Sequence, residues 1–190
     1  MTAPALYPVF LKLAALPVVI VGGGLVAASK LDGLLAAGAR VTVIAPHVLP
    51  EIRAKATVIE QPFRAAQLAG ARWVIAAATP DVNRDVAAAA AARGLFVNAV
   101  DDTSVATAYL GGVVRRGPVE IAISTGGLAP ALAGLLREAL DAILPDDLET
   151  WIDVAKRARR DWKRDGVPMP ERRPLLLRAL DRLYATGAAS

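Results

Sequence analysis

Three consecutive glycines, Gly22-Gly23-Gly24, separate an apolar run, Pro17-Val18-Val19-Ile20-Val21, from an amphipathic stretch that opens at Leu25-Val26-Ala27 and ends near Gly38. A second apolar run, Val41-Thr42-Val43-Ile44-Ala45, follows. The change of hydrophobic period predicts strand, glycine turn, helix and strand in that order. Set on the G-x-G-x-x-G/A fingerprint, the key positions are Gly22, Gly24 and Ala27. The first makes a tight turn, the second lets the backbone approach a pyrophosphate, and the third is small enough for helix to pack on strand. The free N–H groups and positive dipole end of the helix then face the anion. Gly22, Gly23, Gly24, Leu25 and Val26 are therefore candidate dinucleotide contacts. Glycine turns also arise for purely structural reasons, but the flanking strand and helix are the context that the motif requires.

The alternation continues. Ala56 to Glu60 reads as a short strand, Pro62 to Gly70 as a loop with a turn of helix, and Trp73 to Ala77 as a buried strand. Ala78-Thr79-Pro80 turns out of that strand, and the alanine-rich stretch from Val82 to Arg93 reads as a helix stopped by Gly94. Leu95 to Val100 is a further strand, followed at once by Asp101-Asp102. Strands alternating with helices predict a parallel sheet covered on both faces. The expected fold is α/β: a Rossmann-like parallel-sheet domain over residues 1–112, a small α+β dimerisation and substrate-binding segment over 113–145, and a C-terminal helical region over 146–190.

In the second segment Val119 to Ile123 alternates as a strand does, and Ser124-Thr125-Gly126-Gly127 makes a polar turn. Pro130 stands where a helix tolerates proline. Leu132, Leu135, Leu136, Ala139, Leu140 and Ile143 recur at helical spacing until Pro145. So apolar a helix is either internal core or the seam with a second subunit. Two amphipathic helices are expected after it, Asp147 to Arg164 and Arg172 to Tyr184, separated by Gly166-Val167-Pro168-Met169-Pro170.

The 190 residues include no cysteine and one histidine, His47. Disulfides, zinc–thiolate sites and a cysteine nucleophile are excluded, as is a multi-histidine metal cage; no metal ligands are assigned. Carboxylates, hydroxyls, backbone amides and a borrowed cofactor remain. The apolar N-terminus is broken by Lys12 and Pro17 and falls short of the roughly 20 residues of a membrane span, so a cytoplasmic protein without membrane partners is expected. The net charge is +4, with Lys156, Arg157, Arg159, Arg160, Lys163 and Arg164 crowded in the tail. The interspersed Asp153, Asp161 and Asp165 make a solvated helix face the better account of these than a nucleic-acid track.

With these residues in view, the chain resembles the siroheme synthase N-terminal family, whose members are precorrin-2 dehydrogenases and in some cases also sirohydrochlorin ferrochelatases. The resemblance is carried by Tyr7-Pro8-Val9-Phe10-Leu11, the Val21 to Ala27 turn with Lys30 after it, and Gly38-Ala39 leading into Val41-Thr42-Val43. It continues through Ile75-Ala76-Ala77-Ala78-Thr79, Asn98-Ala99-Val100-Asp101-Asp102, Ile123-Ser124-Thr125-Gly126-Gly127, Ala129-Pro130 and Leu135-Leu136-Arg137-Glu138. These pieces run in family order over about residues 5 to 145. The chain departs from the family at Tyr109-Leu110-Gly111-Gly112, where two glycines are expected to loosen the backbone, and in having Ala129 for the usual serine. Some members continue into a methyltransferase domain; none is seen in this sequence, and that activity is expected to be absent.

The resemblance implies oxidation of precorrin-2, a polycarboxylate tetrapyrrole, with NAD as cofactor. A base must take a proton while the cofactor takes a hydride. Asp101 ends a predicted parallel strand, where ligands bind in open α/β sheets. By itself it reads more readily as an N-cap or Asx-turn residue than as a base; the resemblance reverses this, makes it the catalytic candidate and leaves Asp102 to cap. No acidic residue ends the second strand at Ala45-Pro46-His47, so backbone groups of Pro46 and His47 are the expected ribose or adenine contacts. Ala78 and Thr79 border the nicotinamide side. Ser124, Thr125, Gly126 and Gly127 are candidate anion-binding amides ahead of a helix, an arrangement that equally serves plain capping. Arg115, Arg116 and Arg137 are candidate partners for substrate carboxylates. Ferrochelation would make ferrous or cobaltous ion a further substrate, with Asp101 again the base.

Two other readings compete. A nonenzymatic NAD-sensing module typically carries an acid at the end of the second strand, which is missing here. A nucleic-acid-binding regulator would use the basic tail, but no helix-turn-helix or interleaved aromatics support it. The apolar helix after Pro130 points to a homodimer.

Overall fold

A computed structural model describes residues 5–100 and 102–187. The chain forms two compact units. One comprises the chain up to Leu110 together with Gly126–Leu128; the other comprises Gly111–Thr125 and the chain from Ala129 onward.

The first unit is built on five parallel strands: β1 (Pro17–Val21), β2 (Arg40–Ile44), β3 (Thr57–Ile59), β4 (Trp73–Ala76) and β5 (Phe96–Ala99), in the order β3-β2-β1-β4-β5. Helix α1 (Leu25–Ala36) crosses from β1 to β2, and α3 (Pro80–Ala91) from β4 to β5. A short α2 (Pro50–Arg53) follows β2, and a 3-10 turn (Ala65–Leu68) precedes β4. Period-two alternation divides the strand side chains between two cores. Val18, Ile20, Val43 and Ile75 join Ala27, Leu31 and Leu34 of α1. Val19, Val21, Ile44, Val74 and Val97 join Val86, Ala87 and Ala90 of α3. Both faces of the sheet are thus buried, as the unbroken apolar runs of β1 and β4 require. Each fully buried aliphatic side chain contributes about 1.5–3 kcal/mol.

The second unit pairs β6 (Gly112–Arg116) with β7 (Val119–Ile123) as an antiparallel hairpin and lays α4 (Pro130–Ile143) along it. Its link is Gly117-Pro118. Gly117 has φ +53° and proline fixes a negative φ, the sign pattern of a II′ turn. Helices α5 (Leu148–Arg164) and α6 (Met169–Gly187) belong to the same unit. The indole N–H of Trp151 donates to the Tyr184 hydroxyl at 2.6 Å and joins the two helices.

Several boundaries differ from the sequence expectation. The α3 helix begins at Pro80 rather than Val82, with proline at N1, where its missing N–H costs nothing. The α6 helix begins at Met169 rather than Arg172, absorbing Pro170 in its first turn and carrying Pro174 inside. Strand β6 was not expected, because a glycine pair reads as loop. Here the glycines are the tightly packed part. A Cβ on Gly111 would collide with the carbonyl of Ile123, and one on Gly112 would lie 3.0 Å from the carbonyl oxygen of Ala133. Gly111-Gly112 therefore permits close backbone contact where loosening was expected.

Candidate functional site

Strand order reverses at β1: α1 leads from it to β2 on one side, and its other neighbour is β4. Open α/β sheets bind ligands outside the carboxyl ends of the strands at such a switch point. The glycine turn lies there. Gly22 has φ +126°, its N–H donates to the Ile44 carbonyl at 2.9 Å, and a Cβ on it would overlap the carbonyl of Ala77. Gly23 is shaped from the other side. Its carbonyl accepts the Leu49 N–H at 2.9 Å, and a Cβ would overlap the His47 carbonyl. Only glycine fits at either place.

Gly24 differs. It is the N-cap of α1 in extended conformation, and a Cβ on it would meet nothing within 4 Å. No side chain caps α1, and no acid stands in its first turn. The unpaired N–H groups and positive dipole end thus face open space. Ala27 is fully buried against the sheet, whereas Leu25 is 78% exposed and Val26 is 42% exposed. Two closed glycines and one open one make a cradle that fits a dinucleotide pyrophosphate.

Around this cradle, Pro46 and the exposed His47 follow the end of β2, with the His47 backbone turned toward Gly23. Ala78 and Thr79 leave the end of β4. Thr79 is the N-cap of α3 but makes no side-chain cap bond. Their turn is held by Asn83, which no sequence motif singles out. Asn83 is buried, its Oδ1 accepts the Ala78 N–H at 2.9 Å, and its own N–H donates to the Thr79 carbonyl at 2.8 Å. An amide four residues beyond a Thr-Pro helix start was the available signal. Val100 donates its N–H to the Ala76 carbonyl at 2.9 Å, bringing the end of β5 beside the end of β4. Asp101 lies outside the described residues. Asp102 takes the turn-capping role: its Oδ1 accepts the Ser104 N–H at 3.0 Å and hydroxyl at 2.5 Å. The Ser104 hydroxyl and then its amide hold this carboxyl below the usual aspartate range.

The Ser-Thr-Gly-Gly turn is shared between the units. Ser124 and Thr125 go with β7, and Gly126 and Gly127 with the first unit. Both glycines have positive φ, +63° and +78°. Thr125 Oγ1 accepts the Ala129 N–H at 3.2 Å, and α4 has no acid in its first turn. The candidate arginines are engaged within the second unit. Arg115 meets Glu120 at 2.8 Å across the hairpin. Arg116 meets the Asp141 carboxylate at 2.9 Å and donates to the Asp141 carbonyl at 3.1 Å. Arg137 meets Glu138 at 3.1 Å. Arg116 is the most enclosed of these and fastens the hairpin to α4; Arg115 and Arg137 hold exposed pairs of small energetic worth. Among the described residues no cluster of three His, Cys, Asp or Glu is placed to hold a metal, and no helix is long and apolar enough to cross a membrane.

Comparison with known proteins bears on most of the chain. Residues 9–112 match the family model described as "Putative NAD(P)-binding", and residues 116–142 match the one described as "Sirohaem biosynthesis protein central". Siroheme synthase 1 of Aeromonas salmonicida is 41% identical over 185 residues, covering 93% of this chain and 39% of that protein. The siroheme synthase of Salmonella arizonae is 40% identical over 173 residues, covering 87% of this chain and 38% of that protein. The chain thus spans about two fifths of the length of these relatives. Among solved structures, SirC, a precorrin-2 dehydrogenase, matches with a TM-score of 0.70 at 25% identity, covering 91% of this chain and 88% of that one. The glycine cradle at the switch point lies within the first matched region and the hairpin with its apolar helix within or beside the second, so the chain belongs to the siroheme synthase N-terminal family.

Proposed function

We propose that this chain is an NAD-dependent dehydrogenase that oxidises precorrin-2 to sirohydrochlorin in siroheme or cobalamin synthesis. The observation that carries the reading is the cradle of Gly22, Gly23 and Gly24 at the switch point, in a chain similar to a precorrin-2 dehydrogenase. When bound there, the dinucleotide supplies the hydride acceptor. The α1 N-terminus holds its diphosphate, Pro46 and His47 border the adenosine half, and Ala78 and Thr79 border the nicotinamide half. The missing acid after β2 leaves ribose recognition to backbone groups, and NAD is preferred to NADP from the family's habit.

Precorrin-2 and NAD⁺ give sirohydrochlorin, NADH and a proton. One substrate C–H bond breaks with its electron pair leaving as hydride, and a second hydrogen is lost as a proton as the new double bond forms. Asp101 is the proposed base for that proton. The amides of Ser124, Thr125, Gly126 and Gly127 are proposed to receive substrate carboxylates, joined by Arg115 and Arg137 where their surface partners yield; Arg116 contributes by shaping the hairpin. A homodimer is proposed through α4, whose Leu132, Leu135 and Ile143 are exposed. Sirohydrochlorin ferrochelation, with ferrous or cobaltous ion as substrate, is a second proposed activity at the same base.

The test is to incubate the chain with precorrin-2 and NAD⁺ and follow NADH absorbance, with and without added ferrous or cobaltous ion. NADH formed in proportion to precorrin-2 is expected. Tight NAD⁺ binding with no NADH formed from precorrin-2 would replace the enzyme with a sensing module.

A further inference from the structure

Helix α3 buries Asn83, Val86, Ala87, Ala89 and Ala90. Asn83 is the one polar side chain among them and is only 4% exposed. An aliphatic residue would suit that apolar stripe, since a buried amide must be hydrogen-bonded to offset its lost hydration. The bond it makes explains the residue type: Asn83 Oδ1 accepts the Ala78 N–H at 2.9 Å. The start of a helix is ordinarily held by the side chain of its N-cap, but Thr79 makes no such bond. Asn83 takes that part from within the helix and reaches back to the residue before the cap.

The turn between β4 and α3 is anchored from both sides. Ala77 is held by the sheet: its N–H donates to the Val21 carbonyl at 2.7 Å, and its own carbonyl walls the glycine turn at Gly22. Ala78 and Thr79 are held by the helix. The Ala78 N–H goes to the Asn83 side chain, and the Thr79 carbonyl accepts the Asn83 backbone N–H at 2.8 Å. Ala78 and Thr79 are both exposed, so little packing supplements these bonds. Removing Asn83 Oδ1 therefore loosens Ala78 and its junction with Thr79. It leaves Ala77 tied to β1 and the wall at Gly22 in place.

From this division we infer that Asn83 is a positioning residue for the nicotinamide half of the cofactor: its side-chain oxygen fixes the Ala78-Thr79 border, while the glycine turn is held without it. The inference rests on the dinucleotide placement proposed above, with the diphosphate at Gly22 to Gly24 and the nicotinamide beside Ala78 and Thr79. A reacting group displaced by about 1 Å loses on the order of a hundredfold in rate. A loosened border thus acts on hydride transfer, whereas the hold on the diphosphate is kept.

The experiment compares the parent chain with Asn83→Leu and Asn83→Ala, which remove the acceptor, and with Asn83→Asp, which keeps it. Calorimetry with ADP-ribose reads the diphosphate half alone. The fluorescence emission of bound NADH reads how the reduced nicotinamide is held, and NADH formation from precorrin-2 gives kcat. Support would be a fall in kcat of about ten- to a hundredfold without the acceptor, with ADP-ribose affinity within about twofold of the parent. Bound NADH emission should move toward that of free NADH in the same variants, and Asn83→Asp should restore both emission and kcat. Unchanged emission or unchanged kcat without the acceptor overturns the inference. So does a parallel loss of ADP-ribose affinity, a failure of both acceptorless variants to fold, or an Asn83→Asp chain no better than they are, since each makes the residue merely structural. A parent that binds no ADP-ribose overturns the cofactor site itself, and one that binds NADH without changing its emission overturns the nicotinamide placement; the inference falls with either, on the parent's result alone. A parent that binds both but forms no NADH from precorrin-2 overturns only the reaction, and the emission then decides.

Discussion

The carbonyl of Ala77 fills the space that a side chain at Gly22 would need, so the end of β4 closes one wall of the turn that follows β1. This contact joins the two halves of the sheet at the point where strand order reverses. It also separates the glycines by role. Gly22 and Gly23 are required by packing, while Gly24 is open toward the space ahead of α1.

That separation gives opposite expectations for two alanine substitutions. Gly22→Ala combines a positive φ with overlap on a backbone carbonyl. It is expected to cost at least about 1–3 kcal/mol in urea denaturation and to abolish dinucleotide binding. Gly24→Ala has room for its methyl and is expected to cost no more than about 1 kcal/mol as an N-cap change, yet to weaken NAD⁺ binding at least tenfold by calorimetry, since the methyl points where the diphosphate is proposed to lie. Equal NAD⁺ affinity in Gly24→Ala and the parent would move the ligand away from this turn.

Asp101→Asn keeps the size of the side chain and removes its basicity. Turnover of precorrin-2 should drop by about a hundredfold or more, while NAD⁺ titration stays as in the parent. Near-normal NADH formation would remove Asp101 from the mechanism.

On α4, Leu135 is 63% exposed while Ala133 faces the hairpin. A charge at Leu135 therefore costs the folded subunit little, but it would be buried in a dimer seam. Sedimentation velocity is expected to show a dimer for the parent and a monomer for Leu135→Asp. A parent that sediments as a monomer at high micromolar concentration would rule out the seam.

Asp102 titrates low because the Ser104 hydroxyl and amide stabilise its charged form. A carboxyl whose folded value is depressed adds stability above its unfolded value and loses it as the pH falls through the folded one. Ser104→Ala is thus expected to lower stability slightly near neutral pH and to leave it unchanged in strong acid. Carboxyl NMR should show the Asp102 midpoint rising toward the ordinary aspartate range in the variant. A midpoint that does not move would mean that the amide alone sets it.

How much the sequence could reveal depended on whether the determining physics was local. The parallel core was legible because β1 and β4 are buried on both faces and read as unbroken apolar runs, and the helices between them have their own period. The glycine turn was legible because a positive φ and a close approach leave few residues to choose from. The hairpin strand β6 was not. Gly111 and Gly112 look like a break until the carbonyls of Ile123 and Ala133 are seen against them. Nor was the engagement of Arg115 and Arg116, because an arginine in a sequence does not name its carboxylate. Arg115 finds Glu120 through hairpin register, and Arg116 finds Asp141 across to α4. The bond from the Val97 N–H to the Thr107 hydroxyl joins residues ten apart at a sheet edge. By itself the sequence determined the strands of the parallel sheet, the helices α1 and α3 between them and the turn that only glycine can make, since these follow from periodicity and backbone sterics. Tertiary structure alone decided which glycine stays open and which polar groups are already paired, because those properties depend on the distant backbone that folding brings alongside.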